Sequence, residues 1–364
     1  MQLLDELFID LIPRDHQPHD WQRDLGAQQE CANRLIRVPT GFGKTLGVLV
    51  AWLWNRVYRQ NERWPRRLVW CLPMRMLVEQ TEQEARKSLN RLGLLWDGKS
   101  DHSGKVGVYL LMGGVDAGEW HLHPEHYAVL IGTQDMLLSR AMNRGYASPR
   151  ARWPMEFGLL NQDCLWVMDE AQLMDVGLAT SAQLQAFRKE DADSGKPLRP
   201  CCTWWMSATL QQDWLRKSPD TQTLAEGLAE TRIAPEARTG NLWENVSKPF
   251  ELVPFKDAKT LAKQVAQCHL DNGRGADGPT LVVANTVERA VEIAETLRSD
   301  KRIKGTDVRL VHSRFRPKER KTWRDDFLNR QACSPGTDRI VVATQVVEAG
   351  VDVSAGLLVT EVAP

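Results

Sequence analysis

A glycine-rich loop between an apolar run and a helical pattern constrains this chain more than any other stretch. Residues 39–45 read Pro-Thr-Gly-Phe-Gly-Lys-Thr. The apolar residues Leu35, Ile36 and Val38 predict a buried strand, and the apolar spacing within 46–57 predicts a helix directly after the loop. At such a turn, glycines let backbone N–H groups face an anion, and the helix dipole adds to their field. The loop therefore predicts a phosphate-binding site in an α/β fold.

Two side chains of this loop have chemistry suited to a nucleotide. Lys44 would reach the β- and γ-phosphates, and Thr45 would offer its hydroxyl to Mg²⁺. The backbone of the cradle would come from Thr40, Gly41 and Gly43. The strict phosphate-loop pattern has a glycine where Val38 stands, so this loop is a variant. A glycine-rich turn that happens to precede a lysine is the alternative, and other motifs must decide.

A pair of carboxylates supplies the second motif. The apolar run 165–168 ends in Asp169 and Glu170, and Gln172 follows them. In an open α/β sheet, ligands bind outside the carboxyl ends of the strands, so these carboxylates should emerge beside the phosphates. Asp169 is the natural ligand of Mg²⁺, and Glu170 would orient or deprotonate the attacking water. The alternative is a solvated strand end, which is less favoured once the loop is taken into account.

The rest of the chain indicates two α/β domains. At 364 residues it exceeds the length at which one core usually stops growing. Short apolar runs alternate with helical stretches, which favours parallel strands covered on both faces. These runs are residues 68–72, 106–111, 128–131, 165–168, 203–206, 251–253, 280–284, 308–311, 340–343 and 357–359. The polar stretch from Ser218 to Pro254 is predicted to be the irregular joint between the domains, and Arg188 to Pro200 an exposed loop.

Composition argues against several classes of protein. Lys plus Arg and Asp plus Glu both number 47, so no overall positive field indicates nucleic acid binding. Seven cysteines without a Cys-x-x-Cys pair favour reduced thiols and a cytoplasmic location. The sequence has no secretory signal and no run of 18 apolar residues, so we expect no membrane partner. His121, His123 and His126 lack helical spacing and cysteine partners, which favours a polar loop over a metal site.

Further motifs follow one another in a characteristic order. They are Gln22, Pro73-Met74-Arg75, Gln80-Thr81, Gly113-Gly114, Gly132-Thr133-Gln134-Asp135, Ser207-Ala208-Thr209, Val283-Ala284-Asn285-Thr286, His312-Ser313-Arg314-Phe315 with Arg320, and residues 343–352. In this order the chain resembles the superfamily 2 helicases, from about residue 18 to residue 364. The run Ala-Thr-Gln-Val-Val-Glu-Ala-Gly-Val-Asp at 343–352 looks like motif V of one family, the CRISPR-associated helicase-nuclease that type I surveillance complexes recruit to foreign DNA.

The resemblance implies two RecA-like domains with mainly parallel sheets, the second incomplete at its C-terminus. Residues 1–30 would be a helical lead-in, 31–245 the ATP-binding domain and 246–364 the helicase C-terminal domain. ATP and Mg²⁺ are the implied cofactors. The implied catalytic residues are Lys44, Asp169, Glu170 and Gln172, with Thr45 and Asp169 on the metal. The implied nucleotide contacts are the adenine-reading Gln22, the loop residues Thr40, Gly41, Gly43, Lys44 and Thr45, and Gly350 and Asp352.

The same resemblance implies a track for one strand of DNA. The residues that would contact it are Arg75, Gln80, Thr81, Gly114, Thr133, Asn285, Thr286, His312, Ser313, Thr344 and Gln345. A motor that does not read sequence needs hydroxyls, amides and occasional arginines along the phosphates. An isolated threonine is more often a helix N-cap, and only the order of the motifs favours a DNA contact for Thr81, Thr133 and Thr344. The implied partners are single-stranded DNA and a Cascade-type surveillance complex.

Three departures from the family pattern bear on activity. Gln172 stands where many relatives carry His or Asp, so coupling between nucleotide and nucleic acid should differ in detail. The family's His-Asp nuclease constellation is absent, so a nuclease would act in trans or lie beyond residue 364. The sequence also stops before the arginine motif that reaches the γ-phosphate, and an arginine finger is worth about 10³ to 10⁵ in rate. The chain as given is therefore expected to bind ATP but to hydrolyse it poorly.

The sequence hypothesis is an ATP-dependent translocase on single-stranded DNA in a type I CRISPR antiviral system. An RNA helicase or a restriction-type translocase with the same motifs is one alternative, and RNA or duplex DNA would then stimulate its ATPase. A non-catalytic, ATP-dependent binding module is the other alternative, which only the missing arginine motif favours.

Overall fold

Two compact units make up the chain, Met1–Val246 and Ser247–Pro364. The computed structural model describes residues 2–12, 17–99, 101–196, 199–238, 249–315, 319, 322–323, 326–329, 331–347 and 353–362. Each unit contains a parallel sheet with helices between its strands. The predicted α/β class with mainly parallel sheets is thereby confirmed.

The first unit is organised around a seven-stranded sheet. Its strands are β1 Arg34–Arg37, β2 Arg67–Leu72, β3 Val106–Leu111, β4 Tyr127–Thr133, β5 Cys164–Asp169, β6 Cys201–Met206 and β7 Ala229–Arg232. Their order across the sheet is β3-β4-β2-β5-β6-β1-β7, and every neighbouring pair is parallel. The carboxyl ends of all seven strands therefore lie on the same side of the sheet, where α/β proteins bind their ligands.

Eight helices accompany this sheet in the described part of the first unit. They are α1 Gln2–Leu11, α2 Asp20–Gly26, α3 Lys44–Trp52, α4 Arg75–Arg91, α5 Gln134–Ala141, α6 Trp153–Asn161, α7 Val176–Asp193 and α8 Pro219–Glu226. Helix α3 continues as a π-helical stretch over Leu53–Tyr58. Short 3₁₀ turns occupy Trp120–Leu122, Arg150–Arg152, Ala171–Leu173, Gln212–Leu215 and Pro235–Ala237.

Alternate side chains of these strands enter two separate apolar layers. Trp70 and Trp204 belong to one layer, Trp166 and Trp205 belong to the other, and all four are at most 1% exposed. The consecutive pair Trp204 and Trp205 points to opposite faces, as the two-residue period of a strand requires. Burial of one such ring stabilises the fold by roughly 4 to 6 kcal/mol before entropy is subtracted. The near-continuous apolar strands are thus explained by a sheet that is covered on both faces.

The second unit is a smaller copy of this architecture. Its strands are β8 Thr280–Val283, β9 Asp307–Val311, β10 Arg339–Ala343 and β11 Leu357–Thr360. They form a parallel sheet in the order β11-β8-β10-β9. The helices Ala258–Asp271 and Val287–Ser299 pack an apolar face on it, and 3₁₀ turns lie at Lys301–Ile303 and Gln345–Val347.

Three local predictions were wrong. Residues 251–253 form no strand within the described ranges and are exposed, because an apolar pattern does not by itself provide a pairing neighbour. The stretch from 218 to 254 holds α8 and β7, whose polar sequence Ala-Glu-Thr-Arg suits the sheet edge that it forms beside β1. Helix α7 runs on to Asp193, and Arg188 is a buried helical residue instead of part of a loop.

The helices were compared with the length and apolar character of a membrane span. Among the residues that the structure describes, no helix combines the length and the apolar character that crossing a bilayer demands.

Candidate nucleotide-binding site

The chemistry-bearing residues of the first unit gather at the carboxyl ends of three adjacent strands. The predicted phosphate loop follows β1, Ser207 follows β6, and Asp169 ends β5. These strands are neighbours in the order β5-β6-β1. The sheet therefore brings together residues that lie far apart in the sequence.

The loop after β1 has the backbone that an anion cradle requires. Gly41 has φ of +89° and Gly43 has φ of +68°, in the left-handed region that favours glycine. Gly43 is the N-cap of α3, which begins at Lys44. A Cβ atom on Gly43 would lie 2.8 Å from Gln22 Nε2, so a side chain there would be strained and crowded. Thr40, Gly41 and Gly43 are exposed, which leaves the cradle open to solvent.

Gln22 connects helix α2 to this loop. Its Nε2 donates to the carbonyl oxygen of Gly43 at 3.0 Å, and its Oε1 accepts from the His19 amide at 2.8 Å. Gly47 makes the approach possible, since a Cβ atom there would lie 2.5 Å from the Trp21 ring. Gln22 is 3% exposed and is positioned against the loop by packing of α2 on α3.

Lys44 is a buried cation at the first position of α3. It is 8% exposed, and its Nζ lies 3.5 Å from Glu170 Oε1. Thr45, the next residue, is half-buried. A buried ammonium needs an anionic partner, and Glu170 supplies one. The motifs after β1 and β5 are thus in direct contact.

Asp169 is the buried carboxylate of the site, 6% exposed. Its Oδ2 accepts from Trp70 Nε1 at 3.1 Å, and its Oδ1 accepts from the Glu170 amide at 2.9 Å. Burial, aided by the nearby Glu170 charge, raises the pKa of Asp169 to about 6, although Lys44 and Trp70 oppose the shift. Because burial disfavours the negative charge of Asp169, binding of a cation beside it would be favourable.

Glu170 adopts a backbone conformation that is uncommon for a residue with a side chain. Its φ is +50°, in the left-handed region. The Oε2 atom of Glu170 accepts a hydrogen bond from Gln172 Nε2 at 2.6 Å, while Oε1 faces Lys44. Strained backbone of this kind persists where the surroundings hold it, often at functional sites. The carboxylate of Glu170 is therefore fixed from both sides.

The donor atoms around Asp169 fit Mg²⁺. The carboxylate of Asp169 and the hydroxyl of Thr45 are hard oxygen ligands, which Mg²⁺ prefers over nitrogen or sulfur. The loop beside them has an open cradle and a buried ammonium for phosphate. These residues would hold the metal through two protein oxygens, with the remaining positions left for phosphate and water.

Trp70, to which sequence reasoning assigned no role, and Ser207, which belongs to a predicted motif, support this site. Trp70, on β2, hydrogen bonds to Asp169 on the neighbouring strand β5. The Ser207 hydroxyl is fully buried and accepts from the amides of Thr209 and Leu210 at 3.1 and 3.2 Å, so it orders the turn after β6. Trp70 is the fourth of the six residues of β2, and its apolar run predicted burial but not this contact.

The residues predicted to contact DNA in the first unit follow the carboxyl ends of three other strands, β3, β4 and β2. Arg75 and Gln80 are exposed on α4, which follows β2. Gly114 follows β3 with φ of +79°, and Thr133 ends β4 as the N-cap of α5. Thr81 was wrongly expected at a strand end or helix start: it lies inside α4 and is 7% exposed, because the apolar face of α4 includes its position.

The predicted residues of the second unit also collect at strand ends. Asn285 and Thr286 follow β8, His312 and Ser313 follow β9, and Thr344 and Gln345 follow β10. Thr286 is the N-cap of the next helix and accepts from the Arg289 amide at 3.3 Å. Thr344 is only 8% exposed, whereas Gln345 is exposed. Gly350 and Asp352 lie outside the described residues, as does Arg320.

Two family models match the chain. The DEAD/DEAH box helicase model covers residues 24–217, and a model described as CRISPR-associated nuclease/helicase Cas3, C-terminal, covers residues 276–364. A putative CRISPR-associated nuclease/helicase Cas3 from Myxococcus xanthus (strain DK1622) is 38% identical over 100 residues, which are 28% of this chain and 12% of that protein. The matched segment is thus a small part of the curated relative.

Solved helicases share the fold at low sequence identity. The T. fusca Cas3-AMPPNP structure matches 98% of this chain and 43% of its own, with a TM-score of 0.64 and 18% identity. The DUF1998 helicase MrfA bound to DNA matches 98% of this chain and 46% of its own, with a TM-score of 0.64 and 16% identity. S. cerevisiae Dbp5 bound to RNA and ADP BeF3 matches 99% of this chain and 81% of its own, with a TM-score of 0.58 and 17% identity.

The resemblance predicted from the order of the motifs is confirmed by these matches. The first-unit model covers more than half of the chain, and it includes the phosphate loop, Asp169 and Glu170. The second-unit model covers the strands β8 to β11. This chain therefore belongs to the DEAD/DEAH box helicases, and residues 276–364 are similar to the C-terminal part of the CRISPR-associated nuclease/helicase Cas3.

Proposed function

We propose that this chain is an ATP-driven translocase that moves along the displaced single DNA strand in a type I CRISPR antiviral system. The observation that carries the proposal is the contact between Lys44 of the phosphate loop and Glu170, beside the buried Asp169. This arrangement supplies a cation for phosphate, a carboxylate for a metal and a second carboxylate for water. Hydrolysis of ATP needs these three elements.

The contacts suggest how nucleotide binding prepares the site. Lys44 Nζ lies 3.5 Å from Glu170 Oε1 and neutralises its charge. When phosphates enter, they compete for Lys44, and Glu170 becomes free to accept a proton from water or to orient it. Gln172 keeps hold of Glu170 Oε2 and so limits the rotation of the released carboxylate. Mg²⁺ on Asp169 and Thr45 would neutralise the charge that develops on the phosphates.

The surface beside the nucleotide site suits a nucleic acid backbone. Arg75, Gln80, Gly114 and Thr133 offer a cation, an amide, open backbone and a hydroxyl along one sheet edge. Such groups bind phosphates without reading bases, as a motor on arbitrary sequence requires. The neutral composition argues that this contact is local, since 47 acidic residues balance 47 basic ones. Single-stranded DNA is proposed over RNA because of the Cas3-type C-terminal part.

The same match motivates the proposed setting. The names of the matched family and of the relative associate helicase with nuclease activity in CRISPR systems. We therefore propose that a Cascade-type surveillance complex delivers the DNA in the cytoplasm.

The decisive experiment measures ATP binding and turnover with no nucleic acid, single-stranded DNA, duplex DNA or RNA. Single-stranded DNA should stimulate turnover most. Lys44→Ala should abolish ATP binding while the far-UV circular dichroism stays unchanged, because the cradle loses its buried cation. Lys189→Ala, which removes an exposed lysine paired with Asp193 on α7, should behave as the unchanged protein. Stronger stimulation by RNA or duplex DNA would favour another type of superfamily 2 enzyme, and unchanged ATP affinity in Lys44→Ala would refute the site.

A further inference from the structure

A cluster of histidines lies at the opposite end of the first sheet from the nucleotide site. The segment His123-Pro124-Glu125-His126 immediately precedes β4, whose far end is Thr133. Seven residues of strand separate the two ends by roughly 20 Å. The nucleotide chemistry therefore does not use this cluster.

A tight turn brings the imidazoles and the carboxylate together. The His126 amide donates to the His123 carbonyl oxygen at 3.1 Å, which closes a four-residue turn with Pro124 at its second position. Glu125 Oε1 lies 3.4 Å from His123 Nδ1 and 3.4 Å from His126 Nε2. All three of these side chains offer a ligand atom within 4.8 Å of the others. The two 3.4 Å separations match those between neighbouring ligands of one tetrahedral metal ion.

The turn adjoins a cavity, and partly buried side chains hold it in place. A cavity of about 310 Å³ adjoins it, lined by Glu125, His126 and His102 among others. His102 is 6% exposed, its ring stacks on His126 at 3.7 Å, and its Nε2 has no hydrogen-bond partner among the described residues. Arg66 and Arg67 anchor the turn by donating to the carbonyl oxygens of Glu125 and Pro124, each at 3.0 Å.

We propose that His123 Nδ1, Glu125 Oε1 and His126 Nε2 bind a divalent transition metal ion of the Zn²⁺ class. Two imidazole nitrogens and one carboxylate oxygen suit Zn²⁺, whereas Mg²⁺ and Ca²⁺ prefer oxygen ligands alone. The His123 ring must turn out of its parallel stack on His126, and 47% exposure of His123 leaves it room to do so. Sequence spacing favoured a polar loop because it could not show that the turn brings these three side chains together.

The role of this ion follows from its place in the fold. It would fasten the turn before β4, on which the buried ring of His102 from the loop before β3 is stacked. β3 is the strand at one edge of the sheet, and β4 is its neighbour. The ion would therefore stabilise the first unit without taking part in ATP hydrolysis.

The test uses Co²⁺ as a spectroscopic probe and then Zn²⁺ alone, on the whole chain with Cys268→Ser to remove the exposed thiol. We expect one Co²⁺ per chain with visible d–d absorption, displacement by Zn²⁺, and a higher unfolding temperature with Zn²⁺. His123→Gln and Glu125→Gln should each weaken binding by at least about 100-fold, since even partners outside the ligand set cost about 10- to 100-fold. Both side chains are substantially exposed, so these variants should fold.

Glu119→Gln is the matched control, because it removes an exposed carboxylate from the same segment and should keep the affinity of the parent chain. Saturable binding that His123→Gln and Glu125→Gln both leave unchanged would overturn the assignment, as would the absence of Co²⁺ absorption at millimolar concentrations. A near-ultraviolet thiolate band in the Cys268→Ser chain would likewise contradict it, because the proposed ligands contain no sulfur.

Discussion

The two units use the same strand-turn-helix arrangement, but they treat the helix N-terminus in opposite ways. In the first unit, β1 leads through an exposed glycine loop into α3, and the cradle is open. In the second, β8 leads through Asn285 and Thr286 into the helix Val287–Ser299, and Glu361 closes the turn. Glu361 is 7% exposed, accepts from the Asn285 amide at 2.8 Å and pairs with Arg289.

This difference teaches that the two turns satisfy the start of the following helix in different ways. A helix N-terminus carries unpaired N–H groups and a partial positive charge. In the second unit the Thr286 hydroxyl caps the helix and Glu361 accepts from the preceding Asn285 amide, whereas the N-cap of α3 is Gly43, which has no side chain for this purpose. We therefore expect an external phosphate at the start of α3 and not at the turn of the second unit.

The largest effect is expected from Glu170→Gln in the first unit. Loss of the carboxylate should reduce ATP turnover by about 10² to 10⁴, the range for a general base, while ATP binding persists. Turnover and ATP affinity are to be measured side by side. Weaker ATP binding by the same factor would mean that Glu170 shapes the cradle instead of acting on water. The first unit would then differ from the second in phosphate binding and not in catalysis by Glu170.

Asp169→Asn should raise the stability of the nucleotide-free chain in a pH-dependent way. The pKa of Asp169 is raised from 3.8 to about 6, so its ionised form is disfavoured in the fold. The unfolding free energy therefore falls as pH rises from 3.8 to 6, and the full penalty, about 2 to 3 kcal/mol, applies above that range.

Thermal unfolding at several pH values checks this expectation. The unfolding temperature of Asp169→Asn should exceed that of the parent chain at pH 7.5, and the gap should shrink towards pH 4. The exposed Asp193→Asn on α7 is the control and should show no such gap. Equal stability of parent and Asp169→Asn at pH 7.5 would contradict the raised pKa.

Glu361→Ala tests the other side of the comparison. Removal of this carboxylate leaves the Asn285 amide and the Arg289 guanidinium without their anion, and we expect a loss of about 2 kcal/mol in the second unit. The loss should appear as a lower unfolding temperature, with ATP affinity unchanged. Glu292→Ala, an exposed position on the same helix, should change neither. An unaltered unfolding temperature would show that the turn does not depend on an internal anion.

Trp70→Phe should have the smallest effect, confined to the metal. Loss of the Nε1 donor to Asp169 removes a hydrogen bond to a charged group, so the Mg²⁺ concentration for half-maximal ATPase activity should rise roughly 10-fold. Trp204→Phe is the matched variant, since its Nε1 donates instead to the Ala32 carbonyl oxygen. An equal rise in the half-maximal Mg²⁺ concentration in both variants would show that Trp70 acts through packing and not through its hydrogen bond.

The sequence predicted the central strands of both sheets because their apolar runs are specific to strands covered on both faces. It missed β7, which is polar because it forms an edge, and it predicted a strand at 251–253 where the described chain provides no neighbour. The strand-end residues of the nucleotide site were found because their chemistry is unusual at such positions. Contacts such as Trp70 with Asp169 could not be found, because periodicity identifies burial but not which side chains meet.

Gly47 lies outside the phosphate-loop pattern, yet it has an evolutionary consequence. Trp21 occupies the space where a side chain at position 47 would go, and this contact seats Gln22 against Gly43. Relatives that keep a glutamine at position 22 and a bulky ring at 21 should therefore retain a very small residue at 47. Lineages that enlarge position 47 should lose the ring, the glutamine or both, so the three positions should vary together as one inherited unit.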